Sequence, residues 1–205
     1  LMNDADRGET LSNNYTFTMA ASADEITPQF IQGNIDIACV PANLASVLYN
    51  KTEGNVQVLA INTYGILYIV ENGDTVNSVA DLKGKTIYAS GKGATPEYAL
   101  RYVLSQNGID PDKDVTIEWK SEHAECVSAI ASSEGAVALL PQPFVTTAQM
   151  KNGSIRTALD LTEEWEKLGV DSSMVTGVAV IRKDVADANP GAVKNFLEEY
   201  KSSVD

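Results

Sequence analysis

The feature that most constrains the fold is a regular alternation of short apolar runs with helical patterns along all 205 residues. Most of the runs are continuous and rich in Val, Ile and Ala, which is typical of strands covered on both faces. They are Tyr15–Ala20, Ile35–Val40, Val56–Asn62, Gly65–Glu71, Thr86–Ala89, Val115–Lys120, Ala136–Leu140, Ile155–Leu161 and Gly177–Arg182. Strands that alternate with helices predict an α/β protein with mixed, mainly parallel sheets flanked by helices.

Composition and charge argue against several classes of protein. The net charge is −13 and Lys and Arg are scattered, which argues against nucleic-acid binding because phosphate backbones need a clustered basic face. No apolar run approaches the roughly 18 residues of a membrane span. One His and two Cys give no zinc ligand set, and no metal or cofactor is expected. Cys39 and Cys126 are predicted to be small buried side chains, and a disulfide between them stays open.

Two segments of the chain are similar to each other, ADEITPQFIQGNIDIACVPAN and EHAECVSAIASSEGAVALLPQPF. Each has a helical pattern, a Gly, an apolar strand and a loop with Pro, and coincidence is the alternative explanation. Ligands of such sheets bind beyond the carboxyl ends of the strands. Two similar units that face each other therefore predict a cleft lined by a loop from each.

The segment YASGKGATPEYALRYVLSQNG contains a loop suited to an anion. Gly91 and Gly93 allow a tight turn, and a helix is predicted to begin at Pro96 after a capping Thr95. The helix start offers unpaired N–H groups and partial positive charge, and Lys92 adds a charge if it points inward. The loop has neither Walker A spacing nor a full dinucleotide fingerprint. The alternative is a plain polar turn.

The segment SVADLKGKTIYASGKGATPEYALRYVLSQNGIDPDKDVTI resembles the second-lobe opening of bacterial ABC-importer substrate-binding proteins. The resemblance is to the nitrate/sulfonate/taurine and thiamine-precursor binding family, which has the type II periplasmic binding fold. ALLPQPFVTTA and TGVAVIRKDVADANPGAVKNFLEEY are similar to later parts of the same family. LMNDADRGE resembles the tail of the family's first helix. The first strand and its ligand loop are therefore expected to be absent from this sequence.

The resemblance implies a two-lobed protein, with lobe 1 at residues 1–63 plus 177–205 and lobe 2 at 64–176. The hinge is expected near 63–65 and 174–177. It further implies an extracytoplasmic, monomeric solute-binding protein that captures a small anionic or heteroaromatic molecule in the interlobe cleft for an ABC importer permease. It would be no enzyme, and its membrane contact would come only through a lipid anchor outside this chain.

The candidate ligand-binding residues lie in the loops of both lobes and at the hinge. They are Pro41, Ala42, Asn43, Tyr64, Ser90, Gly91, Lys92, Gly93, Ala94, Thr95, Gln142, Pro143 and Thr176. A plain helix N-cap is the alternative for Asn43. His123 and Cys126 share one face of a predicted helix as a possible nucleophile pair, against an exposed His and a packed Cys. An enzyme on the same fold, of menaquinone-pathway or pyrimidine-precursor-synthase type, and the sensing domain of a regulator stay open as alternatives.

Overall fold

The computed structural model describes residues 11–20 and 23–204. For residues 23 and 24 it describes the backbone only. The chain divides into two compact units. Unit 1 is formed by the described residues up to Asn62 and from Gly177 onwards, and unit 2 is Thr63–Thr176. The predicted helix tail at residues 1–9 lies outside the described residues. Of the helices described, none combines the length and the apolar character that a bilayer crossing requires.

The helices and strands alternate along the chain. In order they are α1 (Ala23–Ile31), β1 (Ile37–Pro41), α2 (Ala42–Lys51), β2 (Val56–Tyr64), β3 (Leu67–Asn72), a 3-10 turn (Val79–Leu82), β4 (Thr86–Ser90), α3 (Thr95–Gln106), β5 (Thr116–Lys120), α4 (His123–Ser132), β6 (Val137–Pro141), α5 (Phe144–Lys151), β7 (Ile155–Asp160), α6 (Leu161–Glu166), β8 (Val175–Arg182), α7 (Lys183–Ala188) and α8 (Pro190–Ser202).

Unit 1 is organised on a sheet with the strand order β1-β8-β2. β1 and β8 pair antiparallel, with Ile37 opposite Ile181. Gly33 marks where the chain enters this sheet, because its backbone is left-handed, with φ +82°. The left-handed backbone favours Gly here, and a Cβ atom would stand 2.3 Å from the guanidinium of Arg182, which would have to move.

Unit 2 is organised on a sheet with the strand order β5-β4-β6-β3-β7. β4 runs parallel to β5 and β6, whereas β3 runs antiparallel to β6 and β7. Side chains alternate between two cores: Ile87 and Leu139 pack with α3 on one face, and Cys126 and Leu140 pack with α4 and α5 on the other. All five residues of β6 are buried, as the apolar run predicts for a strand covered on both sides.

One edge of the unit 2 sheet collects the carboxyl ends of four strands. The pairings make β4, β5, β6 and β7 run in the same direction, so Ser90, Lys120, Pro141 and Asp160 end at this edge. The helices α3, α4, α5 and α6 begin just beyond it. We call this edge the carboxyl edge of unit 2.

The predicted α/β class with mixed sheets flanked by helices is confirmed, but parallel pairing is less frequent than predicted. Two of the five pairings described are parallel, those of β4 with β5 and with β6, whereas β3 runs antiparallel to β6 and β7, and β8 runs antiparallel to β1. The predicted strand Tyr15–Ala20 is wrong: these residues pair with no strand of the described chain. Instead the Tyr15 ring packs edge-on against Phe196.

Helix starts lie slightly before their predicted caps. Ala94 precedes α3, so Thr95 is its first helical residue rather than its cap. Pro41 takes this place for α2, which puts Asn43 inside the first turn. The N-cap of α6 is Asp160, whose carboxylate accepts a hydrogen bond from the Thr162 N–H at 2.8 Å. The Asp160 carboxylate thus satisfies one of the N–H groups that have no partner within the helix.

Candidate functional site

A buried polar pair lies at the carboxyl edge of unit 2. Ser90 ends β4 and is only 3% exposed, and its Oγ lies 2.5 Å from Nδ1 of His123, the first residue of α4. The ring of Phe144, the first residue of α5, packs against the imidazole with the ring centroids 4.9 Å apart. Three successive strand-to-helix transitions thus place a hydroxyl, an imidazole and an aromatic ring side by side.

The imidazole of His123 is half-buried rather than exposed, which corrects the plainer prediction for this residue. Burial lowers the pKa of His123, because a charged ring loses hydration there. At neutral pH the ring is therefore neutral, with one nitrogen that donates and one that accepts a hydrogen bond. The site offers a directional polar contact at this position and no fixed positive charge.

The two cysteines are both free and differ in environment. Cys126 is fully buried in the core behind His123, and this burial raises the pKa of its thiol to about 11. A protonated, enclosed thiol is a poor nucleophile, so its burial makes Cys126 unsuited to act as one. Cys39 was predicted to be buried, but it is exposed on β1. The reason is strand alternation, since Ala38 and Val40 take the buried face.

The loop from Gly91 to Ala94 turns as tightly as its glycines allow. Gly91 and Gly93 have φ of +83° and +78°, and the N–H of Ala94 donates to the Gly91 carbonyl at 3.0 Å. The N–H of Gly93 donates to the carboxylate of Glu97 at 2.6 Å. An anion at this helix start would therefore lie close to the Glu97 carboxylate, which already accepts the hydrogen bond of the Gly93 N–H. The side chain of Lys92 is exposed.

The second predicted loop of unit 2 joins β6 to α5. Pro141 is buried, whereas Gln142 and Pro143 are exposed beyond it. The Gln142 N–H donates to the Ile66 carbonyl at 3.3 Å, and its side-chain oxygen accepts from the Thr146 hydroxyl at 3.1 Å. This loop is thus anchored to the start of β3 and to its own helix.

The crossover segments at the boundary of unit 2 are fastened to each other. The Thr176 hydroxyl lies 3.1 Å from the carbonyl oxygen of Thr63 and 3.0 Å from that of Gly65, and the Gly65 N–H donates to Met174 O at 3.0 Å. The proton of the Thr176 hydroxyl is therefore engaged by backbone. Tyr64 between these contacts is 59% exposed.

The remaining predicted residues belong to unit 1. Pro41 ends β1, and Ala42 and Asn43 form the first turn of α2, all three half-buried. The Asn43 carbonyl accepts a hydrogen bond from the Ser46 hydroxyl at 2.8 Å. A ligand-binding role for these three residues stays a prediction.

The sequence profile of a family described as "ABC transporter, phosphonate, periplasmic substrate-binding protein" matches residues 9–204. The chain belongs to this phosphonate-binding family. The predicted resemblance to ABC substrate-binding proteins is thereby confirmed.

Solved structures share the fold of this family member at low sequence identity. The aliphatic sulphonate binding protein SsuA of Escherichia coli is 14% identical, with a TM-score of 0.70 over 98% of this chain and 68% of that one. An ABC transporter from Parabacteroides distasonis is 21% identical, with a TM-score of 0.68 over 99% of this chain and 71% of that one. The alkanesulfonate-binding protein SsuA of Xanthomonas axonopodis pv. citri, bound to MOPS, is 21% identical, with a TM-score of 0.59 over 92% and 65%.

A curated protein also resembles part of the chain. It is the polyketide biosynthesis acyltransferase homolog BaeD of Bacillus velezensis, 30% identical over 101 residues. The match covers 49% of this chain and 31% of BaeD. The chain thus spans less than a third of the length of that relative, and it spans about two thirds of the solved structures.

The carboxyl edge of this family member brings together part of the predicted set. Ser90, the loop to Thr95, Gln142 and Pro143 lie along this edge, whereas Tyr64 and Thr176 lie at the crossovers. The predicted ligand-binding set did not include His123, which was considered only as a partner of Cys126, or Phe144, although both begin helices directly after parallel strands, a position that favours ligand contact. Among the described residues no group of three or more His, Cys, Asp or Glu could hold a metal ion.

Proposed function

We propose that the chain is the ligand-binding part of an extracytoplasmic substrate-binding protein that delivers a small oxyanion, of the phosphonate or sulfonate class, to the permease of an ABC importer. The observation that carries this proposal is the Ser90–His123–Phe144 group at the carboxyl edge of a sheet in a member of the phosphonate-binding family. Two structural neighbours, a sulphonate-binding and an alkanesulfonate-binding protein, support the class of ligand.

Neutral donors are a suitable chemistry for an oxyanion. Hydrogen bonds from N–H groups, hydroxyls and an imidazole bind anions strongly because one partner is charged. The helices α3, α4 and α5 begin at the same edge and add partial positive charge there, which the Glu97 carboxylate offsets in part at α3. The net charge of −13 opposes an anion, but this diffuse field is screened over about 8–10 Å in physiological salt.

The ligand is proposed to be enclosed by hinge closure. In this proposal the two units close about the segments near 63–65 and 174–177, and Pro41–Asn43 of unit 1 then contact the same ligand. Closure stabilises the bound state because both sets of loops reach the ligand only in the closed form. The hydrogen bonds from the Thr176 hydroxyl to the carbonyls of Thr63 and Gly65 would keep the two crossover segments moving together.

An enzyme is the second candidate, since Ser90 and His123 resemble a nucleophile and its base. Burial of Ser90 to 3% exposure argues against it, because a nucleophile has to reach its substrate. Binding without covalent chemistry is therefore the proposed activity. A fluorophosphonate probe, which labels activated serines, separates the two: the binding proposal predicts that Ser90 stays unlabelled.

The test is a thermal-shift and calorimetric screen of the purified chain with methylphosphonate, methanesulfonate, inorganic phosphate and acetate. A ligand that binds only the native state raises the Tm. Methylphosphonate or methanesulfonate is expected to do so, and His123→Ala and Lys92→Ala are expected to weaken the affinity by about tenfold or more. Lys151→Ala, an exposed lysine in the last turn of α5, is the matched control. The absence of binding by every oxyanion tested would contradict the proposal.

A further inference from the structure

The contact between Ser90 and His123 implies a shared proton. Two lone pairs would repel at the 2.5 Å that separates Ser90 Oγ from His123 Nδ1, so one of the two atoms donates. Both residues are held by packing, because Ser90 ends a strand of the sheet and α4 buries Cys126, Val127 and Ile130 behind His123. The packing of unit 2 therefore holds the two side chains in this contact.

The acceptors near Ser90 decide which atom donates. The hydroxyl proton of a buried Ser needs an acceptor, since an unpaired buried donor loses the hydrogen bond that it made with water in the unfolded chain. Apart from His123 Nδ1, the hydrogen-bond partner of Ser90 in the described part of the chain is the thiol of Cys126. That thiol is protonated, with a pKa of about 11, and sulfur is a weak acceptor. Nδ1 is thus the better acceptor, which requires it to carry no proton.

Neighbouring charged groups do not compete for Nδ1. On α4, Glu125 accepts a hydrogen bond from the Ser121 N–H at 3.0 Å. On β5, Lys120 pairs with Glu118 at 3.1 Å and lies 5.1 Å from the ring centroid of Tyr88 on β4. The element packed on the ring face, α5, contributes Phe144 there.

We propose that Ser90 is a positioning residue that fixes His123 in the tautomer with its proton on Nε2, so that the imidazole presents a donor to an oxyanion at the carboxyl edge. The inference rests on the proposed function for the identity of the ligand and not for the tautomer. The Phe144 ring limits rotation of the imidazole, so the donor is held in place before a ligand arrives. Such a donor favours oxyanions over solutes that offer only N–H donors.

The test uses the ligand-free chain, whose single His gives one set of imidazole NMR signals. Ring nitrogen shifts are expected to show the proton of wild-type His123 on Nε2. In Ser90→Ala the tautomers are expected to mix and the pKa of His123 to rise, because the neutral ring loses the hydroxyl that stabilises it. Ser90→Thr keeps the hydroxyl and is expected to restore both readouts.

A wild-type ring protonated on Nδ1, or a His123 pKa that falls or stays unchanged in Ser90→Ala, would overturn the proposal. The wild-type tautomer decides the question even if Ser90→Ala does not fold. Calorimetry with methylphosphonate then tests the consequence: Ser90→Ala is expected to bind about tenfold more weakly, and Ser90→Thr within about threefold of wild type. If wild type binds no oxyanion, the proposed function fails while the tautomer result stands.

Discussion

Replacing Arg156 by Met is predicted to destabilise unit 2 without weakening ligand binding. Arg156 hydrogen-bonds Oε2 of Glu71 at 3.0 Å and the backbone carbonyls of Gly73 and Val76 at 3.0 and 2.6 Å. Glu71 itself is fully buried and also accepts hydrogen bonds from Thr75 and from the Val76 N–H. The cluster closes the turn after β3, at the opposite end of that strand from the carboxyl edge.

The magnitude follows from the burial of the carboxylate. Removing one partner of a buried charge pair costs about 3–5 kcal/mol. The side chain of Arg156 is 33% exposed and Lys85 stays 4.0 Å from the Glu71 carboxylate, so solvent and this second cation reduce the expected loss to about 2–3 kcal/mol. The matched control is Lys113→Met, because its pair with Asp110 is exposed and solvent screens it.

The assay is urea unfolding at pH 7, with methylphosphonate calorimetry on the same variants. Arg156→Met is expected to lower the free energy of unfolding by at least about 1 kcal/mol more than Lys113→Met does, with unchanged affinity. Equal losses in the two variants would refute the reasoning on burial. A large loss of affinity at full folding would refute the separation of the cluster from the site.

Three further predictions concern stability and accessibility. Gly33→Ala is expected to cost more than Gly135→Ala in urea unfolding, by up to about 1 kcal/mol, because both have positive φ but of the two only Gly33 has a side chain, that of Arg182, which the added Cβ would displace. Ellman's reagent is expected to label Cys39 and not Cys126 in the native chain, and rapid labelling of both would contradict the burial. Burial favours a higher pKa of Glu71, but hydrogen bonds from Thr75, Val76 and Arg156 outweigh it and lower that pKa. The stabilisation that ionised Glu71 contributes is therefore full above the unfolded pKa of about 4.3 and is lost as the pH falls through the lower folded value. In Glu71→Gln the urea midpoint is expected to fall less steeply than in wild type as the pH is lowered below about 4.3.

Strand positions in unit 2 could be predicted because buried strands appear in the sequence as continuous apolar runs. VALLP in β6 is apolar throughout since it is covered on both faces. Tyr15–Ala20 has equally strand-like residues, but a strand requires a partner, and local composition does not say whether one is present. The sequence also did not predict which strands pair parallel and which antiparallel, because this depends on where β3 and β8 enter their sheets.

The candidate site was predictable as a position more than as a set of side chains. The rule on carboxyl ends located Ser90 and Gln142 correctly at one edge. His123 was paired in the sequence with Cys126, its neighbour on the helix face, whereas its decisive contact is with Ser90, 33 residues away. The prediction that Cys39 is buried was wrong for a local reason. An apolar strand with one exposed face can have the same composition as a strand covered on both faces.

The most direct measurement of the central claim follows the imidazole signals of the single His during titration with methylphosphonate. Saturable shifts of the His123 signals are expected, with the same Kd as calorimetry gives. Calorimetric binding that leaves the His123 signals unchanged would place the ligand elsewhere and contradict the site described above.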